Sequence, residues 1–429
     1  MKIYFYTLGC KVNQYETQAM SEALTAQGYE ITDRAENADI FIVNSCTVTA
    51  TADKKTRQAV RRFKRSKPDS VVILTGCMPQ AYPKDAENLI QADIVIGNRN
   101  NSSLAAVIDD YMKNGSRIFN VSQHQKGDKF AGDDITCFNE RTRAIIKIQD
   151  GCNRFCTYCI IPTSRGRVRS KPLDELKAEV KAVSEKGYCE VVLVGINLSS
   201  YGSDIGLTFP DAVEAACEIE GIKRVRLGSL EPDHLTDEVI ERLAKCQKLC
   251  PQFHISLQSG CNKTLHDMHR HYTAEEYFEL CDKLREHFPD CTLTTDVMVG
   301  FPMETDSDFE ESLEFVKSVG FEKVHVFPYS SRPGTKAAEF SPQIEKSVKE
   351  DRSRIMIEET EKIRQQFMDS QLGKSVNVLF ESKTHDGYLG GYTENYIPVR
   401  VKCDKEIYGE IHKFKLISFD DEYCLGELV

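Results

Sequence analysis

Three cysteines crowd the segment DGCNRFCTYC: Cys152, Cys156 and Cys159, spaced C-x3-C-x2-C with no fourth thiol close by. Thiolates at such short intervals hold metal, and three protein ligands leave one coordination position open for chemistry. A structural zinc site is closed by four ligands, its cysteines grouped in pairs, and no matching pair lies near. CQKLC at 246–250 falls at a helix end and is read as incidental. On a cubic 4Fe–4S cluster, three cysteines leave one iron able to accept a chelating substrate. The amino and carboxylate groups of a methionine moiety are such a chelate.

A second trio is spread along the first hundred residues. KIYFYTLGC, ADIFIVNSC and SVVILTGC each run from apolar residues into a small loop ending in cysteine: Cys10, Cys46 and Cys77. Each phrase reads as a buried strand and its following turn, with helical stretches between them. That alternation predicts a doubly wound parallel sheet. Ligands bind beyond the carboxyl ends of strands in such sheets, so the three thiols can converge despite their separation. Cysteine is also a common core residue, the alternative for each thiol taken singly. The shared strand-end position favours a second three-thiol site. DKKTRQAVRRFKRSKP, between the second and third of these cysteines, is the most basic stretch. It reads either as a solvated helix face or as a phosphate-contacting patch.

The positioning elements divide the 429 residues into three expected domains, 1–125, 138–370 and 373–429, with HQKGDKFAGDDITCFNERT as the first linker. RAIIKIQDG, CEVVLVGIN, KRVRLGSLEP, QFHISLQSG, CTLTTDVMVGFP and EKVHVFPYS alternate with helical stretches, about six β/α units. They predict an α/β partial parallel barrel whose functional groups follow the strands. Gly195, Asn197, Ser229, Glu231 and Gln258 stand in those places and are candidate cofactor contacts; turn and capping roles are the alternative. Arg167 and Arg169 reach either an anionic ligand or an ion-pair partner. A long helix ends near Gly373, and alternating short strands then predict a small antiparallel β-barrel. Tyr392, Asn395 and Tyr396 in that segment could stack on and hydrogen-bond unpaired bases.

Composition sets the surroundings. Sixteen cysteines without a charged-then-apolar leader suit a reducing compartment, hence a cytoplasmic chain in which metal binding outranks disulfides. No apolar run approaches the roughly 20 residues of a membrane span. The net charge of −11 argues against a generic polyanion binder and leaves local basic patches open.

The C-x3-C-x2-C loop at the head of a partial barrel resembles the radical S-adenosylmethionine superfamily. TLGCKVNQYET, NSCTVTATADKKTRQ, LTGCMPQ, IIPTSRGRVRS, LQSGCNKTLHDMHRHYT, DVMVGFPMET and SSRPGTKAA resemble its methylthiotransferases over nearly the whole chain. The resemblance implies a radical-generating 4Fe–4S cluster on Cys152, Cys156 and Cys159, and an auxiliary 4Fe–4S cluster on Cys10, Cys46 and Cys77. It implies that Tyr158 packs beside the adenine of S-adenosylmethionine, and that GYLGGYTENYIPVRV belongs to a TRAM-like RNA-binding module.

By the same resemblance, one S-adenosylmethionine methylates a sulfide and a second yields the radical that takes hydrogen from C2 of an adenosine. The expected substrate is N6-threonylcarbamoyladenosine at position 37 of a tRNA anticodon loop, since LGCKVNQYET is most similar to that branch. N6-isopentenyladenosine-37 or a ribosomal-protein aspartate are alternative substrates. A monomer served by a reductant such as flavodoxin or ferredoxin and by a sulfur donor is expected. A zinc-stabilised, non-catalytic RNA-binding protein is the alternative of another class.

Overall fold

The computed structural model describes residues 1–132, 135, 142–383, 387–403, 407–420 and 422–429. Cys137, most of the second half of the expected linker and the expected boundary at 138 lie outside the described residues.

Six parallel strands open the chain: β1 (Lys2–Thr7), β2 (Glu30–Ile31), β3 (Ile40–Ser45), β4 (Val71–Gly76), β5 (Ile94–Ile96) and β6 (Ile118–Asn120). Their order across the sheet is β2-β1-β3-β4-β5-β6. The central strands β3 and β4 are buried along their whole length, as a sheet covered on both faces requires. Side chains alternate between the two cores: Ile40 and Ile42 pack with Leu24 and Ile108, while Phe41 and Val43 pack with Val60 and Phe63. The helix Ala50–Ser66 covers the second face, its start fixed by the Thr49 hydroxyl, which accepts from the Ala52 N–H at 3.2 Å.

The next unit carries the parallel strands β7 (Ala144–Lys147), β10 (Glu190–Val194), β11 (Arg224–Leu227), β12 (Ser229–Leu230), β13 (Gln252–Ile255), β14 (Thr292–Val299) and β15 (Lys323–Pro328). Between β7 and β10 a small antiparallel pair, β8 (Gln149–Asp150) with β9 (Arg169–Ser170), clamps both ends of the cysteine loop. The strands form two sheets, β11-β10-β7 and β12-β13-β14-β15. β12 resumes one residue after β11, across Gly228, so the two sheets are consecutive parts of one six-unit partial barrel. Its core runs from Ile146 and Val192 through Phe253 to Val297 and Phe321.

A closed five-stranded barrel ends the chain: β16 (Ser375–Lys383), β17 (Tyr388–Thr393), β18 (Pro398–Lys402), β19 (Ile411–Phe419) and β20 (Cys424–Leu428). Four of its pairings are antiparallel, and β18 with β20 is parallel. Met368, on the long helix Lys346–Gln371, is buried in its core and joins it to the preceding unit.

Candidate active site

Two members of the N-terminal trio follow their strands without a break. Cys46 and Cys77 come directly after β3 and β4, and Cys10 comes three residues after β1; these three strands are neighbours in the sheet. Convergence at one sheet end therefore follows from strand order alone. Burial pushes the Cys77 thiol up to about 12, with Cys46 and Cys10 adding to the rise and Arg165 opposing it. Cys46 is raised by burial and again by Cys10. Each thiol thus lies within the electrostatic field of the others. Gly76, at φ +94°, brings the chain into this corner; a Cβ there would come within 2.5 Å of the Ser45 backbone.

The trio Cys152, Cys156 and Cys159 lies on the loop between β8 and the short helix Ile161–Arg165. Gly151, at φ +72°, precedes Cys152, and a Cβ on it would lie 1.9 Å from the Arg167 carbonyl oxygen. Burial raises the Cys152 and Cys159 thiols, and each is raised further by Cys156. Asn197 Nδ2 reaches the Cys152 sulfur at 3.7 Å, and the Arg154 N–H donates to it at 3.4 Å.

An arginine serves each trio, and sequence reasoning found neither. Arg165, 1% exposed, donates from Nε to the Cys77 sulfur at 3.2 Å and from Nη2 to Asn13 Oδ1 at 2.8 Å and Glu16 Oε2 at 2.9 Å. Arg270 donates from Nη1 to the Cys156 sulfur at 3.4 Å and holds the Glu231 carboxylate with Nη2. The segments IIPTSRGRVRS and LHDMHRHYT carry these arginines, yet their partners lie dozens to over a hundred residues away. No spacing could have paired them.

Buried thiols at such raised pKa are protonated until a metal displaces the protons. Three sulfurs per corner, with guanidinium and amide donors directed at them, are the donor set an anionic thiolate-bound iron–sulfur cluster requires. By its chemistry, this set of donors suits that group at both corners. Among the described residues, no group of three or more His, Cys, Asp or Glu is arranged to hold a single metal ion.

Of the other sequence candidates, Gly195, Ser229, Tyr392 and Tyr396 line one cavity of about 900 Å³ that also opens on Cys10 and Lys11; Asn197, Glu231, Gln258 and Tyr158 are not among its lining residues. Asn197 stands two residues from that wall, its N–H bonded to Gln149 Oε1 at 2.8 Å. Glu231 lies two residues beyond Ser229, its N–H bonded to the Ser199 hydroxyl at 3.0 Å. Gln258, at φ +69°, exchanges backbone hydrogen bonds with Asp296 and Met298 and so extends the β13–β14 edge. Tyr158 packs edge-on against Phe301, centroids 6.4 Å apart.

Three further groups are engaged within the protein, Arg169 taking the ion-pair alternative. Arg169 is buried against Asp150 at 3.3 Å and donates to the Arg165 and Arg167 carbonyls, so it is committed internally. Arg167 lies over the Phe155 ring at 4.5 Å. Tyr392 and Tyr396 stack on each other at 4.4 Å, with Arg143 and Arg226 over the pair, and the Asn395 amide is spent on the Asp290 carbonyl. These groups fasten the C-terminal barrel to the floor of the partial barrel. They are not a free stacking platform.

Residues 146–316 match the Radical SAM superfamily, and residues 2–97 match the Uncharacterized protein family UPF0004. The threonylcarbamoyladenosine tRNA methylthiotransferase MtaB of Bacillus subtilis (strain 168) is 37% identical over 433 residues, covering 100% of this chain and 96% of that protein. A tRNA-2-methylthio-N(6)-dimethylallyladenosine synthase of Finegoldia magna is 35% identical over 434 residues, covering 99% and 93%. The radical S-adenosylmethionine methyltransferase TsrM from Kitasatospora setae, solved with cobalamin and a [4Fe–4S] cluster, shares the fold with a TM-score of 0.58. That match is 13% identical and covers 78% of this chain and 76% of TsrM. Family membership sets aside the non-catalytic alternative: the chain belongs to the radical S-adenosylmethionine methylthiotransferases.

Proposed function

We propose that this enzyme adds a methylthio group to C2 of N6-threonylcarbamoyladenosine at position 37 of tRNA. Cys152, Cys156 and Cys159 would hold the radical-generating cluster, and Cys10, Cys46 and Cys77 the auxiliary one. When bound, the two clusters and two molecules of S-adenosylmethionine supply the electron, the hydrogen-abstracting radical and the methylthio group.

The protein's part is to hold and orient. Arg165 and Arg270 would offset the negative charge of the clusters, and Asn197 and the Arg154 N–H would steady the Cys152 sulfur. Gly195, Asn197, Ser229, Glu231 and Gln258 would contact S-adenosylmethionine, with Tyr158 beside its adenine.

One observation carries the reading: a single cavity opens on Cys10 and on the strand-end residues Gly195 and Ser229. Asn197 and, through Arg270, Glu231 connect that wall to the trio at 152–159. A base in the cavity would lie between the two corners. The lining also supports the threonylcarbamoyl substituent over an isopentenyl one, because it is polar and offers Lys11 and His254 as partners for a carboxylate. The relatives' names include both branches, and the lining supports the first.

Lys54, Lys55, Arg61 and Arg65 project from the exposed face of the helix Ala50–Ser66, without ion pairs among the described residues. This helix starts four residues after Cys46, and Arg332 binds Asp53 in its first turn. We assign it to the phosphates of the anticodon arm, with the C-terminal barrel as the second RNA contact. The enzyme would act as a cytoplasmic monomer, reduced by flavodoxin or ferredoxin and resupplied by a sulfur donor.

Mass spectrometry of tRNA nucleosides from cells lacking and regaining the gene tests the substrate. The methylthio-threonylcarbamoyl nucleoside should vanish and return; its persistence in the deletion strain, with no paralogue, refutes the assignment. Reconstituted protein should carry about eight irons and eight sulfides per chain. Zinc without visible absorption refutes both cluster assignments.

A further inference from the structure

We infer that Lys11 is the residue that receives the carboxylate of the threonylcarbamoyl group, and so determines specificity for it. The inference rests on the substrate reading above and names the cation that reading requires.

Lys11 opens into the cavity beside Cys10. No hydrogen bond or ion pair engages its ammonium group among the described residues. The neighbouring cations are differently placed. Arg143 pairs with Glu381 and Glu190, Arg226 with Glu190, and Arg224 with Glu190 and Glu394. Three guanidinium groups therefore meet three carboxylates. Lys11 lies in the field of Arg143, Arg226 and Glu190, and adds a fourth positive charge without a carboxylate of its own. An incoming carboxylate would give the Lys11 ammonium group the ion-pair partner it lacks among the described residues.

The choice of residue is otherwise unfavourable. Lys11 is the first residue of the helix Lys11–Ala26, where the dipole disfavours a cation and no acidic side chain occupies the first turn. Its place in the chain also matters. Because it directly follows Cys10, a substituent held by Lys11 keeps its purine ring close to the N-terminal trio. A carboxylate on N6 that engages the ammonium group would select the substrate and set its distance from the sulfur to be transferred.

The test compares binding of three anticodon stem-loops to reconstituted wild type, Lys11→Met, Lys11→Gln and Lys11→Arg, read by fluorescence anisotropy. The loops carry adenosine-37, N6-threonylcarbamoyladenosine-37, and the same nucleoside with its carboxylate capped as a methyl ester. Wild type should bind the free acid about tenfold or more tighter than the ester, the range of a charge-assisted hydrogen bond. Lys11→Met and Lys11→Gln should bind acid and ester alike, and Lys11→Arg should retain discrimination. Wild-type discrimination in Lys11→Met or Lys11→Gln overturns the assignment of Lys11 while leaving the substrate reading intact. A wild type that binds the free acid no tighter than adenosine-37 overturns the substrate reading itself.

Discussion

Arg165 Nε lies 3.2 Å from the sulfur of Cys77, although the arginine belongs to the partial barrel and the cysteine to the N-terminal sheet. The same guanidinium binds both oxygens of Glu16, and Lys147 reaches Glu16 Oε1 at 3.0 Å. Burial alone would raise the carboxyls of Glu16 and Asp150; instead Arg165 and Lys147 hold both below the usual carboxylate range, with Arg169 helping at Asp150. The interface between the two units is thus a buried charge network with a thiol at its rim. It couples domain docking to the chemistry of the N-terminal trio.

Removing one partner from such a network leaves an uncompensated buried charge. Arg165→Ala should destabilise the protein by about 3–5 kcal/mol and deplete iron from the Cys10–Cys46–Cys77 corner first. Arg165→Lys should recover charge but not the forked geometry, giving an intermediate loss. Thermal melts with iron analysis check this; full iron and an unchanged melting temperature in Arg165→Ala would contradict it.

The two trios should fail differently. Cys156→Ala should abolish 5′-deoxyadenosine formation and all turnover. Cys46→Ala should still form 5′-deoxyadenosine while producing no thiomethylated tRNA. Loss of both activities in Cys46→Ala would refute the division of labour.

The helix Ala50–Ser66 gives a salt-dependence prediction. Combining Lys54→Ala, Lys55→Ala and Arg61→Ala should weaken tRNA binding, and the slope of log K against log salt should flatten by about 0.7–0.9 for each phosphate no longer neutralised. Lys64 pairs with Asp93 at 2.9 Å, so Lys64→Ala should leave the slope unchanged. Titrations at several salt concentrations decide it.

Glu322 is 7% exposed and lines the cavity, and burial raises its carboxyl to about 7 against the pull of Arg364. Between the ordinary glutamate pKa and 7 the folded state holds a proton that the unfolded chain releases, so stability falls as pH rises through that window. Glu322→Gln removes this dependence. Its melting temperature should gain on wild type from pH 5 to pH 8, by an amount corresponding to at most about 3 kcal/mol. A constant difference across that range would show that Glu322 does not titrate there.

Gly76 tests the approach to the N-terminal trio. Gly76→Ala would place a Cβ 2.5 Å from the Ser45 backbone at a φ of +94°. A shift of the chain around Cys77 is unavoidable, and iron retained at this corner should drop. Wild-type iron content would mean that the backbone yields at little cost.

The six cysteines, the alternation of strands with helices and the glycines before Cys10, Cys77 and Cys152 are local facts, because strand runs, turns and ligand spacing are written within a few residues. Strand order and burial then brought Cys10, Cys46 and Cys77 together in the way the strand-end rule implies. The arginines were not legible: Arg165 meets Glu16 across 149 positions, and Arg270 meets Cys156 across 114. Arg167 and Arg169 looked equally available in sequence, yet one stacks on Phe155 and the other is sealed against Asp150. Tyr392 and Tyr396 had the composition of a base-stacking surface until domain docking set them against Arg143 and Arg226. Sequence alone determined which thiols stand at the ends of β1, β3 and β4 and in the loop before the helix Ile161–Arg165. Tertiary packing decided which charges were neutralised and which, like Lys11, were left facing the cavity, because long-range pairing depends on how whole sheets dock.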